Sequence, residues 1–303
     1  MSQKTEKDNT SATITELVAK TEQEGSKFFK SADEKGDVQP IIHDAGSLQP
    51  PPQETGKVYI EEILRKKNML VQGSNLDPVF ADEYRRIKRP LLSNAFGKSA
   101  SLLEKGNLIL VTSSIPGEGK TFTAINLALS IAHEQDHTVL LIDCDVTRCG
   151  TSRMLGIDDK PGLVEILENN DSSVSDVVLR TDIPALSLIS TGKQHDFVTE
   201  LLASQRMFDL VSEIAERYDD RVVIFDGPPL LPTPEAQVLT GQVGQVVFVI
   251  EAGKTPQAVV EEALDMISKE QAIGLVMNKS EGVSARSGYY YGYYGENKKT
   301  DSK

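Results

Sequence analysis

The sequence predicts a doubly wound, mostly parallel α/β fold, with helices ahead of it and a polar tail behind it. Three observations lead there. Short runs of consecutive apolar residues recur between positions 108 and 277, as strands buried on both faces require. Amphipathic stretches of helical period lie between them, and this alternation marks a sheet covered by helices on both sides. The first run passes through a glycine-rich turn into a long helical pattern, the order in which parallel sheets place ligands at their strand ends.

Taken in order, residues 1–56 are polar and close on Pro50, Pro51 and Pro52, which fit neither a helix interior nor a central strand. This segment reads as mostly disordered, with a short amphipathic patch at "ITELVAK". Residues 57–105 turn helical: "VYIEEILRKK" and "DPVFADEYRRIKRPLLSNAF" carry apolar residues three and four apart, predicting two helices. The main domain spans 106–282. Its expected strands are "LILVT" (108–112), "TVLLID" (138–143), "LSLIS" (186–190), "RVVIFD" (221–226), "QVVFVI" (245–250) and "IGLVM" (273–277). Helical patterns such as "TFTAINLALSIAHEQ" and "PQAVVEEALDMISKE" separate them. Residues 283–303 form a flexible tyrosine-rich tail.

Composition narrows the function. The chain has 303 residues, 39% of them hydrophobic, enough for a large core. A net charge of −13 argues against general nucleic-acid binding. The charge is uneven: residues 57–105 hold ten Lys/Arg against six Asp/Glu, while residues 1–56 hold six against ten. Cys144 and Cys149 suit neither a zinc site nor a disulfide framework. No apolar run reaches the roughly 18 residues of a membrane span, and the N-terminus lacks the apolar centre of a signal peptide. A cytoplasmic protein is expected.

The most informative stretch is "LILVTSSIPGEGKT". It is a phosphate loop with one departure, Ser114 in place of the first glycine of G-x-x-x-x-G-K-[ST]. Backbone N–H groups and a helix N-terminus converge on an anion in such a loop. Ser114, Pro116, Gly117, Glu118, Gly119, Lys120, Thr121 and Phe122 are the expected nucleotide-binding residues. Lys120 neutralises the β- and γ-phosphates and the Thr121 hydroxyl holds Mg²⁺. Asp143 and Asp145 close "VLLIDCD", and Asp226 closes "RVVIFD". A lone aspartate at a strand end reads as a turn cap, but three on strands of one phosphate-loop domain point to a metal–phosphate centre. Asp143 and Asp226 join Thr121 as the expected metal residues. The chain lacks the H-R-D, D-F-G and V-A-I-K signatures of eukaryotic-type kinases and a guanine-reading N-K-x-D, so ATP is the expected nucleotide. His43, His133, His137 and His195 form no cluster in sequence.

With these motifs in place, the chain resembles the bacterial tyrosine autokinases, the BY-kinases, over roughly residues 60–295. "SSIPGEGKT" is similar to the family's Walker A, "LLIDCDVTRC" to its second acidic motif and "VVIFDGPP" to its Walker B. "EYRRIKR" places Glu83, Arg86 and Arg89 on the family's E-x-x-R-x-x-R oligomerisation motif. "HDFVTELLASQRM", "EAGKTPQAVVEEAL" and "GLVMNKS…GYYYGYYG" look like the exosortase-associated exopolysaccharide subgroup. Cys149 departs from a usual proline, Gly227 from Ser or Thr, and Thr147 from a frequent arginine. The partitioning ATPases share the expected fold, but they carry a lysine where this chain has Ile115.

The tail poses its own question. Tyr289, Tyr290, Tyr291, Tyr293 and Tyr294 are five of the chain's eight tyrosines. Glycines at 288, 292 and 295 break any helix or strand through them. A sticky flexible tail and a cluster of phosphate acceptors both fit these residues. The resemblance implies the second, with one subunit's tail entering its neighbour's site. A mobile tether raises the effective concentration of the phenols there. Glu83, Arg86 and Arg89 fit a solvated helix face or, as the resemblance implies, a contact within a ring. Asp145 or Asp143 would accept the phenol proton, and Arg148 would contact phosphate or a neighbouring subunit. Asn278 is either a strand-end turn residue or, by resemblance, the adenine reader. The expected cofactors are ATP and Mg²⁺. The expected partners are further copies of the chain, a membrane-anchored polysaccharide chain-length regulator and a tyrosine phosphatase, with no nucleic acid. Location peripheral to the inner membrane follows from the regulator. The rival reading is a regulatory ATPase switch without phosphotransfer.

Overall fold

The computed structural model describes residues 57–71, 78–97, 103–169, 171–193, 195, 197–216 and 220–280. The expected disordered 1–56 segment, its "ITELVAK" patch and the five tail tyrosines lie outside the described residues.

Among the described residues two helices precede the sheet, α1 (Glu61–Lys66) and α2 (Pro78–Phe96). Then follow β1 (Leu108–Ser113), α3 (Lys120–Ala132), β2 (Thr138–Asp143), α4 (Gly150–Leu155), α5 (Leu163–Glu168), α6 (Val174–Val177), β3 (Leu179–Arg180) and β4 (Leu186–Ile189). The remainder is α7 (Val198–Leu202), α8 (Gln205–Glu216), β5 (Arg221–Asp226), α9 (Pro234–Thr240), β6 (Gln245–Glu251), α10 (Gln257–Leu264) and β7 (Ala272–Asn278). The seven strands form one sheet in the order β3-β4-β2-β5-β1-β6-β7. Every neighbouring pair is parallel except β3 with β4. Each apolar run of the sequence forms its strand. The two-residue β3 was not anticipated, because so short a segment carries no periodicity.

Alternate strand residues build two cores. Ile109, Val111, Leu141, Ile224 and Val249 face α3 and α2, meeting Leu127, Ile131, Tyr84 and Leu91. Leu110, Ile142, Phe225 and Phe248 face the other way, against Ile166, Leu210, Leu239 and Ala263. Each fully buried Leu, Ile or Phe side chain adds about 1.5–3 kcal/mol. This double cover holds the central strands rigid, so their ends are fixed points for a site. The cover fails at β7. Ile273, Leu275 and Met277 are exposed on this edge strand, so the expectation that every run is covered on both faces does not hold there. On its other face a cavity of 320 Å³ lies between α2 and β7, lined in part by Ile87, Pro90, Leu91, Gly274 and Val276.

The N-terminal segments are tied on by polar contacts within the apolar packing. Val58 donates to the Arg180 carbonyl at 2.8 Å and accepts from the Asp182 amide at 3.1 Å, continuing the sheet beside β3. Asp182 Oδ1 accepts from the Ile60 amide at 2.9 Å and so serves the first turn of α1. The Asn126 side chain accepts from the Leu70 amide at 2.8 Å. Buried Lys88 crosses from α2 to α3, where its ammonium donates to the Ser130 carbonyl at 2.7 Å and pairs with Glu134. Glu83, Arg86 and Arg89 occupy the exposed side of α2.

Lys88→Ala removes the charged partner of a helix-end carbonyl and a carboxylate. The expected loss is about 1.5–3 kcal/mol, read as a lower denaturant midpoint with faster hydrogen exchange in 78–96.

Candidate functional site

β1 delivers the chain into the loop 114–119, and α3 begins at Lys120. Two glycines allow the turn. Gly117 (φ 94°) and Gly119 (φ 102°) adopt left-handed backbone that other residues rarely take. At Gly119 a Cβ would stand 1.9 Å from Asn278 Nδ2, so a side chain there would displace the Asn278 carboxamide.

Protein donors hold the loop's carbonyls. Ser113 Oγ donates to the Ile115 carbonyl at 2.8 Å, Lys279 Nζ to Gly117 at 2.7 Å and Asn278 Nδ2 to Glu118 at 2.8 Å. Amides of Leu230 and Leu231 donate to the carbonyls of Ser113 and Ser114 at 2.8 and 3.2 Å. In a planar trans peptide the N–H of the next residue points opposite to the carbonyl. Pinning the carbonyls of Gly117 and Glu118 therefore fixes the N–H groups of Glu118 and Gly119 on the other side, where an anion is received.

The carboxylates come from two adjacent strands. β2 and β5 pair in a register that sets Asp143 beside Asp226, both fully buried. β2 ends at Asp143, as the apolar run predicts, and Asp145 lies in the following turn. It nevertheless reaches the same centre, with Oδ2 at 3.9 Å from Lys120 Nζ. Asp143 Oδ2 accepts from the amide and hydroxyl of Ser152, each at 2.7 Å, and Oδ1 accepts from the Asp145 amide at 3.2 Å. Asp226 Oδ2 accepts from the Thr151 hydroxyl at 2.8 Å, and the Thr121 hydroxyl lies near enough to favour its charged form. Thr151 and Ser152 open α4 and hold both carboxylates. Sequence reasoning missed them, since a Thr–Ser pair at a helix start ordinarily reads as a cap.

Burial, then the Asp226 charge, pushes the Asp143 carboxyl up to about 8. Burial pushes Asp226 up to about 6, opposed by the hydroxyls of Thr151 and Thr121 and by the Lys120 ammonium. Burial lowers Lys120, while Asp145 and Asp226 favour its charged form. Burial also drives the Cys144 thiol well above its ordinary value, so it is an inert core residue.

The site fits Mg²⁺ and a nucleotide. Asp226 Oδ1 and Ser114 Oγ are buried without a hydrogen-bond partner, and buried polar atoms rarely go unpaired. Thr121, Asp226 and Asp143 offer the oxygen donors that Mg²⁺ prefers, and Mg²⁺ binds through one or two carboxylates plus phosphate and water. Among the described residues no group of three or more His, Cys, Asp or Glu side chains forms a metal cage.

The other expected residues fall as follows. Pro116 and Phe122 flank the loop and the first turn of α3. Exposed Arg148 lies close enough to Lys120 to oppose its charge. Asn278 sits at the loop, its carboxamide engaged with the Glu118 carbonyl. The Glu118 carboxylate bonds to the Ile115 amide at 2.9 Å and to Thr255 Oγ1 at 2.5 Å. Cys149 has φ 49°, a backbone that proline, fixed near −65°, cannot adopt. At Gly227 a Cβ would approach Leu110 Cδ1 to 2.6 Å.

The chain is similar to known proteins. The AAA domain family matches residues 106–272. Tyrosine-protein kinase YwqD of Bacillus subtilis is 32% identical over 217 residues, covering 71% of this chain and 86% of that protein. Tyrosine-protein kinase ptk of Acinetobacter johnsonii is 30% identical over 229 residues, 75% of this chain, which spans only 30% of that relative's length. Among solved structures, the BceF tyrosine kinase domain is 27% identical with a TM-score of 0.56, covering 71% of this chain and 87% of that one.

The buried carboxyls set a pH dependence. Both hold protons more tightly folded than unfolded, where such groups titrate near 4. Their contribution to stability is therefore complete at low pH and is lost as pH rises through about 6 for Asp226 and about 8 for Asp143. Asp226→Asn keeps an acceptor for Thr151 and removes the charge. In EDTA without nucleotide, its melting temperature should exceed that of the wild type by several degrees at pH 8, the gap closing towards pH 4.

Proposed function

Because the chain belongs to the bacterial tyrosine autokinase family, we propose that it transfers the γ-phosphoryl group of ATP to tyrosines of its own C-terminal cluster, in trans. The observation that carries this reading is the joining of a carbonyl-pinned phosphate loop to three aspartates at one end of a parallel sheet. Bound Mg²⁺–ATP supplies the electrophilic phosphoryl group. The chain supplies placement and charge. Loop amides and the Lys120 ammonium hold the phosphates. The Thr121 hydroxyl and the Asp226 carboxylate, whose Oδ1 is unpaired, would hold the metal, with Asp143 beside them.

Of the two expected bases, Asp145 is the better placed. Asp143 has both oxygens committed to Ser152 and the Asp145 amide. Asp145 Oδ2 faces Lys120 at 3.9 Å. A phenol has pKa near 10, so a carboxylate at the proton and an ammonium at the phosphates together favour its attack. Exposed Arg148 adds positive charge where an incoming chain carries phosphate. Asn278 is assigned to the adenine side of the site, consistent with its place next to the loop.

Assembly into a ring through Glu83, Arg86 and Arg89 fits their exposure on α2. No described helix is long and apolar enough to cross a membrane. A membrane-anchored chain-length regulator as partner, work in exopolysaccharide export of the exosortase-associated kind, location at the inner membrane and reversal by a tyrosine phosphatase complete the proposal. Each added phosphate brings about −1.5 to −2 charges, which loosens an acidic assembly by repulsion. The domain assignments are part of this reading: 57–105 for assembly, 106–282 for catalysis and 283–303 as acceptor.

Intact and tryptic mass spectrometry after incubation with Mg-ATP should show several phosphates on Tyr289, Tyr290, Tyr291, Tyr293 and Tyr294, and none in Lys120→Ala. An unmodified tail, even with the regulator's cytosolic segment added, sinks the kinase reading and leaves the ATPase switch. Separately, Arg86→Ala with Arg89→Ala should reduce the sedimentation coefficient to that of a monomer and slow tail phosphorylation at least tenfold.

A further inference from the structure

We infer that Glu118 is a positioning residue of the phosphate loop, and that Thr255, in the connection between β6 and α10, is its partner. This rests on the nucleotide-binding part of the function proposed above. The Glu118 side chain is 1% exposed, and burying a carboxylate is costly unless it is hydrogen-bonded. Three donors serve it. Oε2 accepts from the Ile115 amide at 2.9 Å. Oε1 accepts from Thr255 Oγ1 at 2.5 Å and from the Glu251 amide at 3.3 Å. One oxygen thus closes the loop on itself across three residues, and the other fastens it to the connection between β6 and α10.

The carboxylate acts through the backbone and does not touch the nucleotide. Its bond to the Ile115 amide sets the loop's rise out of β1, while Lys279 and Asn278 fix the carbonyls of Gly117 and Glu118. The bracket holds three N–H and O–H donors, so the position needs an acceptor on both oxygens. A glutamine presents an NH₂ group to one of them. The same contact gives a role to "EAGKTP" at 251–256. Its Glu251 amide and Thr255 hydroxyl converge on Glu118, so segment 251–256 braces the loop from behind.

The test measures the dissociation constant for fluorescently labelled Mg-ADP, with melting temperature, on the full chain. Thr255→Val and Glu118→Ala should each weaken Mg-ADP binding about tenfold, the worth of a charged hydrogen bond. Thr255→Ser should bind as the wild type does, and Glu118→Gln should fall between wild type and Glu118→Ala. The Glu118→Ala/Thr255→Val double variant should bind no more weakly than the worse single one, since both break one bracket. Binding within twofold of wild type in Thr255→Val overturns the inference, as does simple addition of the two effects. Thr255→Val retains the carboxylate, so it decides the matter even where Glu118→Ala fails to fold. Wild-type protein that does not bind Mg-ADP overturns the nucleotide reading itself; wild-type binding with unaffected variants overturns only the bracket.

Discussion

Two carboxylates held side by side in the dry interior are the constraint around which this molecule is arranged. The β2–β5 register sets Asp143 against Asp226, and burial raises both above their ordinary range. Such a pair is unfavourable by itself, because desolvation and like charge act together. The surrounding chain compensates only in part. Ser152 gives Asp143 two donors and Thr151 gives Asp226 one, while Asp226 Oδ1 is left without a partner. A buried carboxylate oxygen without a donor is unfavourable, and an oxygen of this kind suits a cation.

The rest of the domain supplies rigidity for that pair and for the loop opposite. β1 lies next to β5, so the phosphate loop and Asp226 leave neighbouring strands at the same end of the sheet. Two cores of opposite-facing side chains stop either strand from shifting. The loop is then fixed from within and from outside. Its carbonyls accept from Ser113, Asn278 and Lys279, and its one buried carboxylate accepts from Ile115, Glu251 and Thr255. Preorganised donors cost no rearrangement when the phosphates arrive, the condition under which such electrostatics assist transfer most. Asn278 closes β7, the last described strand, and Lys279 follows it.

The sheet edge shows where the α/β expectation was too general. A run such as "IGLVM" reads like the interior runs, because composition cannot reveal whether a strand has neighbours on one side or two. In the fold β7 has only β6 beside it, and Ile273, Leu275 and Met277 stay exposed. Likewise, the sequence sets Asp143 and Asp145 close together at a strand end but does not show the path between them. The chain leaves the strand after Asp143 and returns Asp145 to Lys120 by a turn, whose Asp145 carbonyl accepts from the Cys149 amide at 2.6 Å.

By itself the sequence determined the strand runs, the phosphate loop, Lys120 and Thr121, and the aspartates at strand ends. These are legible because local periodicity and short-range backbone geometry encode them. Only the tertiary structure decided which aspartates meet, that Thr151 and Ser152 hold them, and that Glu118 faces Thr255 across 137 positions of chain. Those partnerships depend on strand order and register. A hydroxyl or carboxylate looks the same in sequence whether it caps its own turn or braces a loop that folding brings to it.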